Sequence, residues 1–276
     1  MPPMIVTLSL PLRRILPAGL LLTLGACAGK VETTHQSPDF SRADLAAGRL
    51  AVGGVVLSAR LVADTTQDTP DGVPADDLLA QADTWSPLLY GQLLAAGPDV
   101  PTWPWSSLRD VCADSVLADA LATIARGGVL KPVQLEPVAK TLSAVRYLAL
   151  ARVEANETTL HEGSVAAAEN QRVKDGRDPH GGTLDRSLTT RREVTVTLDL
   201  YDLKAGRSIW TTTATRRRDM LYNYADAEDN LRPPLVGEGQ PVITATGRPM
   251  PTAEFTEVLA EAFAALAQRL LTVPAP

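Results

Sequence analysis

Apolar and polar positions fall into blocks that predict a chain of mixed strands and helices. The first strong block is 50–57, Leu-Ala-Val-Gly-Gly-Val-Val-Leu, a continuous apolar run of the length of a central strand covered on both faces. Gly53 and Gly54 within it predict a close approach by backbone or by a crossing helix. A polar, Asp-rich connection follows over 63–77. Residues 76–81 and 86–96 then carry helical spacing, with Leu88, Leu89, Leu93 and Leu94 as an apolar stripe and Gly97-Pro98 as the stop. Pro101-Thr102-Trp103-Pro104-Trp105 lacks ladder donors at its prolines, so it predicts an edge strand or an extended loop. Residues 114–126 place Leu117, Leu121 and Ile124 on one helical face and end at Gly127-Gly128, the chemistry of a left-handed cap. Residues 132–142, with Val133, Leu135, Val138 and Leu142, predict a further helix or two short turns.

The second half is richer in strands. Residues 145–153 carry Tyr147, Leu148, Ala149 and Leu150 in succession, a strand buried on both faces at its centre. From 194 to 201 the alternation is clean: Val194, Val196, Leu198 and Leu200 on one face, Thr195, Thr197, Asp199 and Tyr201 on the other. Asp202-Leu203-Lys204-Ala205-Gly206 supplies a turn and 208–215 returns, so 193–215 predicts an antiparallel hairpin. The last block sets Phe255, Leu259, Ala262, Phe263, Leu266 and Leu270 opposite Glu257, Glu261 and Gln268, an amphipathic helix with Thr252 as its N-cap. The expected fold is therefore α/β (α+β). A mixed central sheet with a C-terminal antiparallel hairpin is flanked by helices, in a single domain over 47–276 with polar insertions at about 155–192 and 219–251.

The N-terminus changes the picture. Arg13-Arg14 precedes a ten-residue apolar run, 15–24, and then small residues. That order is a secretory signal, and the run is too short to cross a bilayer, which takes roughly 20 apolar residues. Leu24-Gly25-Ala26-Cys27 resembles the bacterial lipobox. The resemblance implies that residues 1–26 are removed and that the Cys27 thiol is acylated. It also implies that the protein is held to a membrane by its N-terminal lipid. Ala28 in place of an Asp after that cysteine implies the periplasmic face of the outer membrane. Residues 27–46, polar and weakly patterned, are expected to form the lipidated cysteine and a flexible tether.

The whole chain of 276 residues has net charge -6, and residues 1–26 carry two arginines and no acid. An acidic chain has no global field to collect nucleic acid, so no nucleic-acid partner is expected. With Cys27 consumed by lipid, Cys112 has no intrachain partner and reads as a small buried hydrophobe rather than a catalytic thiol.

Behind the lipobox, the order strand, helix, extended edge, helix, strand, hairpin and terminal helix resembles a small α/β domain of envelope lipoproteins. It is shared by the curli-secretion pore lipoprotein (CsgG-like), the penicillin-binding-protein activator (LpoB-like) and the N-terminal domain of TolB. The resemblance rests on 49–57, on Tyr147-Leu148-Ala149-Leu150-Ala151-Arg152-Val153, and on 194–210, where Leu198-Asp199-Leu200-Tyr201-Asp202, the Gly206 turn and Ile209-Trp210 match the family hairpin. It covers about half the chain and implies assembly or regulation through an envelope protein partner, with no catalytic residues to carry over.

Nothing in the sequence spells out chemistry. His35 lies in the expected tether, and His161 and His180 lie in the first insertion among Glu162, Asp175, Asp178 and Asp185. Their spacing matches no common zinc signature, and no nucleophile elbow or phosphate-cradling glycine loop occurs, so no metal, cofactor or catalytic residue is expected. Binding has two candidate surfaces. One is a basic patch at one end of the hairpin, from Arg191, Arg192, Arg216, Arg217 and Arg218. The other is the set of aromatics in irregular segments, Trp103, Trp105, Tyr222 and Tyr224. The leading expectation is a non-enzymatic, lipid-anchored binding or assembly protein of the envelope, such as a peptidoglycan synthase activator or a secretion accessory. Two alternatives stand beside it: a lipid-anchored hydrolase using the histidines and acids of 155–192, and an oligomeric secretion-pore component. The last would need membrane-crossing strands of about ten residues with alternating apolar positions, a pattern that neither insertion shows.

Overall fold

The computed structural model describes residues 29–64, 77–164, 186–223 and 252–272. Six strands form one sheet: β1 (Lys30–Gln36), β2 (Leu50–Leu57), β3 (Thr102–Trp103), β4 (Tyr147–Ser164), β5 (Arg186–Asp202) and β6 (Arg207–Asn223), in the spatial order β1-β6-β5-β4-β2-β3. The sheet is mixed, since β2 runs parallel to β3 and β4 whereas β4, β5, β6 and β1 pair antiparallel in turn. The helices are α1 (Ala43–Gly48), α2 (Ala59–Asp64), α3 (Leu78–Ala96), α4 (Trp105–Val111), α5 (Asp114–Ala125), α6 (Pro132–Thr141) and α7 (Phe255–Leu271). The class is thus the expected α/β arrangement, a mixed sheet flanked by helices.

The interior is organised around β2, all eight residues of which are buried. β3 pairs only with Leu50 and Ala51, which leaves the rest of that edge of β2 without a strand neighbour. A buried N–H without an acceptor costs on the order of 1–3 kcal/mol. Polar side chains on α3 meet that need: Val55 N–H donates to Ser86 Oγ at 3.1 Å and Leu57 N–H to Gln81 Oε1 at 2.9 Å. This is why Gln81 and Ser86, polar in sequence, are wholly buried. The predicted close approach at the glycines is real. Gly54 has φ +125°, and a Cβ there would lie 2.6 Å from a Leu121 methyl on α5 and 3.4 Å from both Ala82 on α3 and Trp105 on α4.

Several predicted boundaries shift. The predicted segments 76–81 and 86–96 meet in one continuous helix, α3, over Leu78–Ala96, which runs through Pro87 and starts from Asp77, whose carboxylate accepts from Ala80 N–H at 2.9 Å. Its inward stripe is Ala82, Trp85, Leu89 and Leu93, with Leu94 exposed. Trp85 meets Phe255 of α7 edge to face, centroids 5.7 Å apart. The left-handed cap after α5 is present at Gly127, φ +77°. Glu254, not Thr252, occupies the N-cap of α7, and it makes no side-chain cap bond.

The larger correction concerns the expected tether. From Lys30 to Gln36 the chain is the edge strand β1, paired with β6 from Lys30↔Thr215 to Gln36↔Trp210. Just beyond it, Arg42 donates from Nε and Nη2 to the carbonyls of Leu270 and Arg269 at 3.1 and 3.0 Å, closing the C-terminal turn of α7, and Phe40 and Leu45 enter the core. Composition misleads here because an edge strand whose only aliphatic residue is Val31 is held by backbone pairing rather than by burial. The expected insertions are corrected in the same way. Residues 155–164, 186–192 and 219–223 extend β4, β5 and β6 into a three-stranded arm beyond the start of β1.

Candidate binding surfaces

Alternation along β5 and β6 sorts the arginines of the arm. On the face that carries buried Val194, Val196 and Ala214 toward α7, β6 continues into Arg216 and Arg218 and β5 into Arg192. Arg218 reaches α7, with Nη1 2.7 Å from Glu257 and 3.8 Å from Glu261, which lie one turn apart on that helix. The opposite face carries Arg191, Glu193, Arg217 and Asp219. There Arg191 grips Asp219, its direct cross-strand neighbour, in a two-pronged ion pair of 2.7 and 2.9 Å, and this pairing pushes the guanidinium's pKa upward. Arg217 stands opposite Glu193 in register, and Arg216 Nη1 donates to the Thr215 carbonyl at 3.0 Å. The five arginines therefore lie at one end of the hairpin. They form a mixed-charge ladder rather than an open basic patch.

The aromatic candidates separate. Trp105 opens α4 and is 3% exposed; its indole N–H donates to Asp83 at 2.7 Å, and Arg109 also binds that carboxylate. It is a core residue, not an exposed anchor. Trp103 sits half-buried on the edge strand β3, packed on the core. Tyr222 occupies a β6 position opposite Leu188, whereas Tyr224, His180 and Cys27 lie outside the described residues. His161 is a β4 position opposite Thr189, and His35 lies on β1 opposite Thr211. No group of three or more His, Cys, Asp or Glu residues placed to hold a metal ion occurs among the described residues. Cys112 is buried and burial raises its thiol pKa, so it is packed as the sequence predicts.

Two arrangements lay beyond sequence reasoning. On the polar side of the sheet, Thr195 and Thr215 share a hydrogen bond of 3.0 Å, Thr197 and Thr213 another of 3.0 Å, and Thr211 donates to Asp199 at 2.6 Å. Asp199 is 8% exposed, and burial pushes its carboxyl above the ordinary aspartate value against the hydrogen bond from Thr211 and the field of Arg152. Next to it Tyr201 accepts from Leu130 N–H at 3.2 Å, and burial raises its phenol pKa far above the usual range. Arg152 is held by Glu154 and by the Ile124 carbonyl at the end of α5. Only the period-2 alternation hinted at this row.

At the opposite end of the hairpin, Asp202 builds the β5–β6 turn. Its Oδ1 accepts from the N–H groups of Lys204 and Ala205 at 2.9 and 3.0 Å, and its Oδ2 accepts from Arg146 at 2.9 Å. Gly206 completes the turn at φ +66°. The turn and α6 frame two open grooves of about 480 and 560 Å³ that share Ala139, Leu203 and Lys204. Both are shallow, and the polar groups of the first are Asp44, Ser143, Arg146 and Lys204.

No family model matches the chain, and no curated protein does either. Among solved structures it is similar to the PelC dodecamer of Paraburkholderia phytofirmans at 14% identity and a TM-score of 0.36, covering 89% of this chain and 99% of that one. A point-substituted form of the same dodecamer aligns at 14% identity and a TM-score of 0.34, with the same coverage. The hypothetical protein CT253 of Chlamydia trachomatis aligns at 11% identity and a TM-score of 0.36, covering 81% of this chain and 95% of that one.

Proposed function

We propose that the chain is a lipid-anchored, periplasm-facing protein of the outer membrane that binds or regulates an envelope assembly and carries out no chemistry of its own. The observation that carries this reading is the sequence Leu24-Gly25-Ala26-Cys27 directly behind Arg13-Arg14 and a ten-residue apolar run. Only a thiol can form the thioether to diacylglycerol, and several acyl chains hold a protein durably where one holds it reversibly. The openness of both grooves supports binding over catalysis, since neither encloses a small substrate. Charge on both faces of the arm argues against a pore. Arg192, Arg216 and Arg218 alternate with Glu193 and Arg217, and an arginine facing lipid at the bilayer midplane costs about 2–4 kcal/mol.

The test is the mass of the N-terminal peptide of protein taken from membranes, together with fractionation of a Cys27→Ser form. The expected results are a triacylated residue 27 at the mature terminus and loss of membrane attachment in the variant. An intact residue 1, or a variant that stays with the membrane like the parent, refutes the reading.

A further inference from the structure

Cys27 and Ala28 are all that precede Gly29 after the proposed cleavage. An extended chain advances about 3.3–3.6 Å per residue, so the acylated residue lies within about 7 Å of Gly29. Gly29 is packed on β6: a Cβ added there would lie 2.7 Å from Cδ of Arg216, and the next residue, Lys30, pairs with Thr215. From Lys30 onward the chain is fixed by backbone pairing, so no slack remains with which the domain can stand off. The headgroup layer is only about 5–8 Å deep on each side of the hydrocarbon. Acyl chains in the bilayer therefore bring Gly29 and Arg216 to headgroup depth.

Direction matters as much as distance. β1 and β6 are antiparallel, so the chain traced back from Lys30 toward Cys27 runs the same way as β6 traced on from Thr215 through Arg216 and Arg217. The end of the sheet nearest the lipid is thus the three-stranded arm. We propose that this arm is the membrane-contact surface, meeting the bilayer along the β6 edge that β1 leaves uncovered beyond Thr215, so that Arg216 on one face and Arg217 on the other both reach lipid phosphates; the inference rests on acylation of Cys27. Arg191 and Arg218 are already engaged by Asp219 and Glu257. Arg216 holds a backbone carbonyl, and Arg217 has Glu193 opposite it but forms no ion pair among the described residues. Those two guanidinium groups retain the donors that a phosphate accepts. Charge on both faces of the arm keeps it at the surface rather than in the hydrocarbon.

The experiment uses the full-length processed protein in vesicles of phosphatidylethanolamine and phosphatidylglycerol. A photoreactive benzophenone side chain is placed by Glu193→p-benzoylphenylalanine, beside Arg217, or by Lys204→p-benzoylphenylalanine, in the turn at the other end of β6. The two ends are separated by about 33 Å of strand, so lipid adducts at position 193 are expected to exceed those at 204 by roughly tenfold or more. Adding Arg216→Gln and Arg217→Gln to the Glu193 form should cut its lipid adducts severalfold while leaving Cys27 acylated. Equal or greater yield at position 204 with Cys27 acylated overturns the inference alone, and an undiminished yield in the Gln form overturns the role of the two arginines. An unacylated Cys27 overturns both this inference and the anchoring on which it rests.

Discussion

Gly54 offers the sharpest check on how the core is built. It sits in a fully buried strand at φ +125°, where a residue with a Cβ is strained by about 1–3 kcal/mol. A methyl at that point also meets a Leu121 methyl at 2.6 Å. Leu121 is 0% exposed and can yield only into packed neighbours, at a further cost of about 1–3 kcal/mol. Gly54→Ala should therefore cost about 2–6 kcal/mol, read as a lowered urea midpoint at unchanged slope. The two contributions can be separated, because the contact needs Leu121 and the backbone strain does not. Leu121→Ala alone should cost about 2–5 kcal/mol through its cavity. In the double variant the new methyl fills part of that space, so the double should be less destabilised than the sum by about 1–3 kcal/mol. Additivity within about 0.5 kcal/mol would refute the contact, and a Gly54→Ala protein as stable as its parent would refute the strain as well.

Two further outcomes test the polar row and the tryptophans. The Asp199 carboxyl is raised in the fold above the ordinary aspartate value, chiefly by burial. Its favourable contribution is therefore complete below that ordinary value and lost as pH rises through the folded pKa. Asp199→Asn keeps an acceptor for Thr211 and removes the buried charge, so it should raise the melting temperature at pH 7 and lose that advantage as pH falls toward the ordinary aspartate range. An equal offset at both pH values would count against burial as the cause. Of the four tryptophans, Trp85, Trp105 and Trp210 are at most 3% exposed. Trp103→Phe should accordingly remove most of the acrylamide-quenchable fluorescence, and a larger loss in Trp105→Phe would show Trp105 to be accessible.

What the sequence disclosed is the part of the molecule whose order comes from burial. The run 50–57 is β2 to the residue, and the α5 spacing of Leu117, Leu121 and Ile124 with its glycine stop reads directly into the helix. The alternation from Val194 to Leu200 likewise places those side chains correctly in the core. Misreadings arose where a polar residue serves the interior. The spacing predicts two helices, 76–81 and 86–96, yet α3 runs on through 82–85, and its Gln81 and Ser86 are the acceptors that a short β3 leaves β2 needing. Trp105 reads as a candidate binding aromatic because it lies in a proline-rich segment, whereas Asp83 gives its indole N–H an acceptor and the ring packs in the core.

The arm and β1 escaped for a different reason. An edge strand or a strand beyond the helical layer gains its order from pairing, and pairing leaves little trace in hydropathy. β1 pairs six of its seven residues with β6 although only one of them is aliphatic. In the arm, cross-strand chemistry replaces the core, with Arg191 paired to Asp219 and Arg217 opposite Glu193, and the threonine pairs at 195–215 and 197–213 continue the row where β1 joins β6. Such pairs contribute roughly 0.2–1 kcal/mol each, enough in a row to hold strands together but too small to mark a strand in composition. A polar stretch flanking a hairpin should thus be tested for complementary partners in register before it is assigned to a loop. Here that test converts an expected tether into a stitched edge strand, which is what fixes the reach between Cys27 and the arginines of β6.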